Sequence, residues 1–177
     1  MRRTPFFSLA GAALCLVAFA APAGAQEGNG TLRTGPYLGV QPGQKDDAPG
    51  KVQLAGKGGI KLLTWVGFQM VGEGGRVFLQ TSEAPTYQLV SARPDEVVLE
   101  LTDTKLHRKN DGRPLKTGWF PTAVREIDAD PVRGDKTRTR VTIRLREQVG
   151  YDLRQEGNYL ILDFRAPTGP VTAPPIQ

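Results

Sequence analysis

Residues 138–146 read Arg-Thr-Arg-Val-Thr-Ile-Arg-Leu-Arg. Val141, Ile143 and Leu145 alternate with Arg140, Thr142, Arg144 and Arg146. Successive side chains of an extended strand point to opposite faces, so this stretch predicts a strand with one face in a core. The alternation recurs in Val97-Val98-Leu99-Glu100-Leu101 and in Leu160-Ile161-Leu162-Asp163-Phe164. Turn formers separate the runs: Gly72-Glu73-Gly74-Gly75, Arg93-Pro94-Asp95, Asn110-Asp111-Gly112 and Glu156-Gly157-Asn158. No segment carries a sustained 3.6-residue apolar stripe, and the fold expected is all-β.

An internal repeat extends this reading. Arg76-Val77-Phe78-Leu79 aligns with Arg140-Val141-Thr142-Ile143, Glu83 with Glu147, Tyr87 with Tyr151 and Leu89 with Leu153. After one deleted turn residue, Val97 to Leu101 falls on Leu160 to Phe164, and the acid Glu100 meets the acid Asp163. Leu63 to Phe68 aligns more weakly with Val124 to Ala129. Two such copies, each a half-sandwich, predict a β-sandwich of two antiparallel sheets that bury their apolar faces against each other.

The flanks read differently. Arg2 and Arg3 precede a nearly unbroken apolar run from Phe6 to Ala21, and Ala23-Gly24-Ala25 supplies a small-x-small cleavage pattern before Gln26. Residues 1–25 are expected to be a signal peptide, too short in its apolar part for a membrane span. Pro5 breaks a twin-arginine pattern, and Leu14 is too large to precede a lipid-modified Cys15. Cleavage between Ala25 and Gln26 would remove Cys15, the only cysteine, leaving neither a disulfide nor a thiolate metal site. It would also remove two of the five net positive charges, a balance too mild to point to nucleic acid. Residues 26–59 are rich in Gly, Pro, Gln, Asp and Lys and predict a flexible, disordered linker, with a short ordered piece at Tyr37 to Val40. Residues 60–165 form the expected domain, and 166–177, with Pro167, Pro170, Pro174 and Pro175, a Pro-rich extended tail.

The segment from Ile60 to Phe164 resembles an AMIN domain, the β-sandwich module of periplasmic N-acetylmuramoyl-L-alanine amidases and type IV pilus secretins. The likeness is carried by Lys61-Leu62-Leu63-Thr64-Trp65-Val66-Gly67-Phe68, Gly75-Arg76-Val77-Phe78-Leu79-Gln80-Thr81 and Thr86-Tyr87-Gln88-Leu89. It continues through the Pro-Asp turn, Glu96 to Leu101, and the second copy ending in Asn158 to Phe164. The resemblance implies a non-catalytic, cell-envelope module that binds peptidoglycan in the periplasm, at the wall or outer membrane. It also implies a secretin, pilus protein or amidase as a partner. The alternative is a structural or assembly module that docks on such a complex through protein contacts, by strand addition at a sheet edge. Only the Pro-rich tail follows the domain here, so the expectation is a stand-alone AMIN domain. It would have no cofactor and no membrane span after signal cleavage.

The residues offer little for catalysis. His107, the only histidine, sits in a basic segment before a turn and reads as a loop residue without triad partners or zinc-ligand companions. Asp128, Asp130 and Asp135 are expected to crowd one loop, but Val132 occupies a ligand position and Arg133 opposes a cation, so a solvated connection between strands is favoured over a calcium site. Arg133-Gly134-Asp135 reads as a polar turn. Trp65, Trp119 and Phe120 read as core or strand-edge packing.

The candidate ligand site is the row Arg138, Arg140, Arg144 and Arg146, all on one face of a strand, with Tyr151 and Tyr159 either as flat surfaces for sugar rings where they lie nearby or as core residues. Stacked cations repel, so this face needs water, acids such as Glu147, Asp152 and Asp163, or an anionic ligand. Peptide-stem carboxylates and polymer phosphates both suit arginine's planar fork.

Overall fold

A computed structural model describes residues 37–42 and 59–171, all within one compact unit of the chain. The predicted export signal, the Ala25–Gln26 cleavage, most of the linker and the tail beyond Val171 lie outside the described residues. Ten strands follow in order: β1 (Lys61–Val71), β2 (Gly74–Thr81), β3 (Thr86–Arg93), β4 (Glu96–Thr102), β5 (Thr104–Leu106), β6 (Leu115–Lys116), β7 (Val124–Val132), β8 (Asp135–Leu145), β9 (Tyr151–Glu156) and β10 (Tyr159–Phe164). A single 3-10 turn, Lys109–Gly112, lies between β5 and β6.

The strands form two five-stranded sheets, ordered β5-β1-β2-β10-β9 (sheet A) and β3-β4-β8-β7-β6 (sheet B). Every pairing is antiparallel except the three-residue contact of β5 with β1. The all-β sandwich expected from the alternation is therefore the observed fold, but its halves are not separate half-sandwiches. Each copy of the repeat sends one hairpin into each sheet. The β1–β2 hairpin meets β9–β10 of the second copy, and β7–β8 meets β3–β4 of the first. The physical reason is hydrogen-bond supply. Either copy alone would leave the inner edges of both its hairpins unpaired, whereas interlacing joins β2 to β10 and β8 to β4 and satisfies all four.

The repeat holds residue by residue. Val97, Val98, Leu99 and Glu100 stand opposite Ile143, Thr142, Val141 and Arg140. Their mates Leu160, Ile161, Leu162 and Asp163 stand opposite Leu79, Phe78, Val77 and Arg76. Even the irregularities coincide: the register slips between Leu63 and Trp65 on β1, and between Val124 and Glu126 on β7. The weakest part of the sequence alignment is thus reproduced, bulge included.

Inward positions of both sheets supply one core. Leu63, Val77, Leu79, Leu99, Leu101, Val141, Ile143, Leu160 and Leu162 are fully enclosed. The β7–β8 turn places Gly134 at φ 87°, in the left-handed region that glycine enters without strain, so Arg133-Gly134-Asp135 is a tight hairpin tip. The Tyr37–Val40 piece lies along the outer edge of β1, where Val40 N–H donates to the Phe68 carbonyl at 2.9 Å and Met70 N–H to the Leu38 carbonyl at 2.7 Å. Its Tyr37 ring sits 5.8 Å from Phe120, which in turn lies 5.0 Å from Phe68. No helix among the described residues is long and apolar enough to cross a membrane.

Leu99 and Leu162 are repeat mates at the centre of the two sheets, both wholly buried. Leu99→Ala and Leu162→Ala are each expected to lower unfolding free energy by about 2–5 kcal/mol, read by urea denaturation. The shared frame predicts similar losses for the two.

Candidate functional site: two outer sheet faces

The interlaced register assigns each outward side chain a row and a mate. On sheet A, across β1, β2, β10 and β9, the rows are Trp65–Gln80–Tyr159–Glu156, Gly67–Phe78–Ile161–Arg154 and Gln69–Arg76–Asp163–Asp152. On sheet B, across β7, β8 and β4, the corresponding rows are Glu126–Arg144–Glu96, Asp128–Thr142–Val98 and Asp130–Arg140–Glu100. Backbone geometry is the same in both. The chemistry is not.

The last row is an ion pair in both copies. Arg76 forks onto Asp163 at 2.6 and 3.0 Å, and Arg140 reaches Glu100 through Nε at 3.1 Å and Nη2 at 2.7 Å. Arg154 adds a third hydrogen bond to Asp163 and makes one of 2.6 Å to Glu156. Hydrogen bonding from Arg140 is the main influence lowering the Glu100 pKa, and it outweighs the burial that opposes it. Burial alone would raise the Asp163 carboxyl, but the guanidiniums of Arg76 and Arg154 hold it below its ordinary value. Asp135 is lowered to about 2 by the Thr137 hydroxyl and amide, with Arg138 adding to them.

Elsewhere the faces diverge. On sheet A, Phe78 is wholly buried although it points outward. The far end of its ring covers Gly67, where an added Cβ would come within 2.1 Å of it. Trp65 packs edge-on at 4.8 Å, and Tyr159 flanks the ring at 6.4 Å. Glycine at residue 67 is what lets this aromatic step form. On sheet B the mates of Trp65, Gly67 and Gln80 are Glu126, Asp128 and Arg144, and Arg144 bonds both acids, Glu126 at 2.9 Å.

The arginine row therefore has partners, but not the expected ones. Arg138 is shared between Glu100 at 3.2 Å and Asp135 at 2.8 Å, Arg140 takes Glu100, and Arg144 takes Glu126 and Asp128. Glu147 instead accepts from Thr168, Asp152 stands on β9, and Asp163 belongs to sheet A. Interlacing is the cause, because it puts Glu100 rather than Asp163 beside Arg140. Arg146 ends the row with a hydrogen bond to the Gly118 carbonyl and a buried Nε that has no hydrogen-bond partner among the described residues. Tyr151 does not share the arginines' face. It lies on sheet A, partly buried against the core, with its ring 5.4 Å from Phe164.

The other chemical candidates are also placed. Asp128 and Asp130 stand on β7 and Asp135 on β8, so these acids belong to strands and not to a loop. Among the described residues no cluster of three or more His, Cys, Asp or Glu could hold a metal ion. His107 is partly buried, with Nδ1 4.0 Å from Asp111. Trp119 is exposed, whereas Phe120 packs on Phe68. Trp65 packs on Phe78, but on an outer face and not in the central core. Alternation alone hid this face. Its available signal was the doubling of apolar residues in Val77-Phe78-Leu79 and Leu160-Ile161-Leu162, which leaves Phe78 and Ile161 outward.

The sequence profile of the AMIN domain matches residues 66–164, from β1 through the last residue of β10. The chain belongs to the AMIN family. No curated protein matches the chain at significant similarity. AMIN domains are non-catalytic periplasmic modules that bind peptidoglycan and occur in amidases and secretins.

Two outcomes follow from the ion pairs. Glu100, Asp163 and Asp135 all have lowered folded-state values, so their contribution is present above the unfolded carboxyl range and is lost as pH falls through the folded values. Thermal unfolding midpoints should hold from neutrality to about pH 4.5 and then decline down to about pH 2, followed by circular dichroism. Arg140→Ala leaves Glu100, only 5% exposed, with Arg138 as its remaining cation. Its expected cost in urea denaturation is about 1–2 kcal/mol, below that of breaking a fully buried pair because Arg140 is half in water.

Proposed function

We propose that this AMIN domain is exported to the periplasm, binds peptidoglycan there and holds an envelope process at the wall. The observation that carries this reading, beyond family membership, is the outer face of sheet A. There a Trp65–Phe78–Tyr159 aromatic step adjoins the Arg76–Asp163–Arg154 ion-paired cluster. Sugar rings present apolar C–H faces and hydroxyl edges. Aromatic side chains suit the first. Hydroxyls both donate and accept, which suits paired guanidiniums and carboxylates that keep spare donors and lone pairs.

On sheet B, Arg138, Arg140 and Arg144 are proposed to contact the same polymer through spare N–H groups. Four acids compensate these three arginines, so the face does not attract a free anion strongly and favours glycan hydroxyls over isolated carboxylates. Tyr151, on sheet A, packs β9 onto the core and is not proposed to touch the polymer beside these arginines. Signal peptidase cleavage between Ala25 and Gln26 would remove the apolar run from Phe6 to Ala21.

Co-sedimentation with purified sacculi tests the proposal. The chain is expected to pellet with sacculi, and Trp65→Ala and Tyr159→Ala each to weaken retention about ten-fold while leaving the circular dichroism spectrum unchanged. Because the faces are charge-compensated, added salt should reduce retention only slightly. A chain that stays in the supernatant with intact sacculi rules the reading out.

A further inference from the structure

Strands β3 and β9 are repeat mates, and each ends its sheet. Their guards differ. β9 reads Tyr-Asp-Leu-Arg-Gln-Glu, with three charged residues in six. Charges along an edge deter another strand, since pairing would strip their water. β3 reads Thr-Tyr-Gln-Leu-Val-Ser-Ala-Arg and carries no charge before Arg93. Leu89 and Val90 are each 48% exposed, at the point where the β3 register slips against β4. No described strand pairs with the outer side of β3. One fold position is thus guarded in the second copy of the repeat and bare in the first.

We propose that β3 is a docking edge for a second copy of this chain, pairing antiparallel with its own counterpart about a two-fold axis. The occupant follows from the edge's self-complementarity. An antiparallel register centred on Gln88 sets Tyr87 opposite Leu89 of the other copy. Both are inward-pointing positions, standing opposite the core residues Leu101 and Leu99. The half-exposed Leu89 thereby gains an aromatic cover. The same register brings the exposed Arg93 end of one strand to the exposed Glu83 end of the other, twice over. Such a contact closes at two copies and cannot propagate.

The consequence is a continuous ten-stranded sheet in which both sheet B outer faces lie side by side. Two linked wall-facing surfaces would raise retention on a polymer through effective concentration. The pairing itself rests on the fold alone and stands whether or not the wall reading holds.

Sedimentation velocity on the full chain across a concentration series is the first test. A dimer fraction that rises with concentration and disappears in Val90→Lys is expected. In a Cys15→Ser background, Gln88→Cys should form intermolecular disulfides about ten-fold faster than Gln155→Cys, an exposed position on the guarded β9 edge that leaves its three charges in place. The cysteine pair leaves the edge intact, so it reports even if Val90→Lys misfolds. A chain monomeric up to its solubility limit, or equal crosslinking at the two positions, overturns the proposal. A monomer that instead takes up an extended peptide on β3 also overturns it, by naming a different occupant.

Discussion

The pairing of β2 with β10 and of β4 with β8 is the constraint on which the molecule depends. Both are six-residue antiparallel ladders, and both join the first copy of the repeat to the second. Without them each sheet would be two loose hairpins with bare inner edges. With them, inward residues of both copies converge on one core. Val77 and Leu79 come from the first hairpin, Leu160 and Leu162 from the last, and Leu99 and Val141 from the strands between. The same ladders set Arg76 against Asp163 and Arg140 against Glu100, so ion pairs appear at matching places on both outer faces.

A duplicated frame does not impose duplicated chemistry. At one pair of mates, Gly67 admits the Phe78 ring while Asp128 receives Arg144. At another, Trp65 packs edge-on against Phe78 where Glu126 makes an ion pair. One face is aromatic and amphipathic, the other a compensated lattice of charge. The edges diverge likewise, charged along β9 and bare along β3. The core tolerates few changes because the inward positions of the central strands are enclosed on both sides. Outer positions meet water, which accepts an aromatic step as readily as an ion pair once each is internally partnered.

The alternation of Val141, Ile143 and Leu145 with arginines was sufficient to read strands, an all-β class and one buried face. The match of the Arg76 and Arg140 segments, and of Glu100 with Asp163, was sufficient to read two related copies. These properties are local, since strand periodicity belongs to the backbone and similarity to the order of residues. The same evidence misassigned the partners of the arginine row, giving it Asp163 and Glu147, and it set Tyr151 beside arginines that lie on the other sheet.

Those errors share one source. Periodicity tells which residues lie on the same face of a strand, but it carries no information about which strands become neighbours. The repeat is equally compatible with two separate half-sandwiches and with two interlaced ones. Hydrogen bonding across the inner hairpin edges chose the second, and that choice alone paired Arg140 with Glu100, turned Trp65 and Tyr159 onto a common outer face and left β3 at the rim. The amino-acid order determined the elements and the likeness of the two halves. The tertiary structure decided their neighbours, because a side chain's partner across a sheet is fixed by long-range ladders that no local pattern encodes.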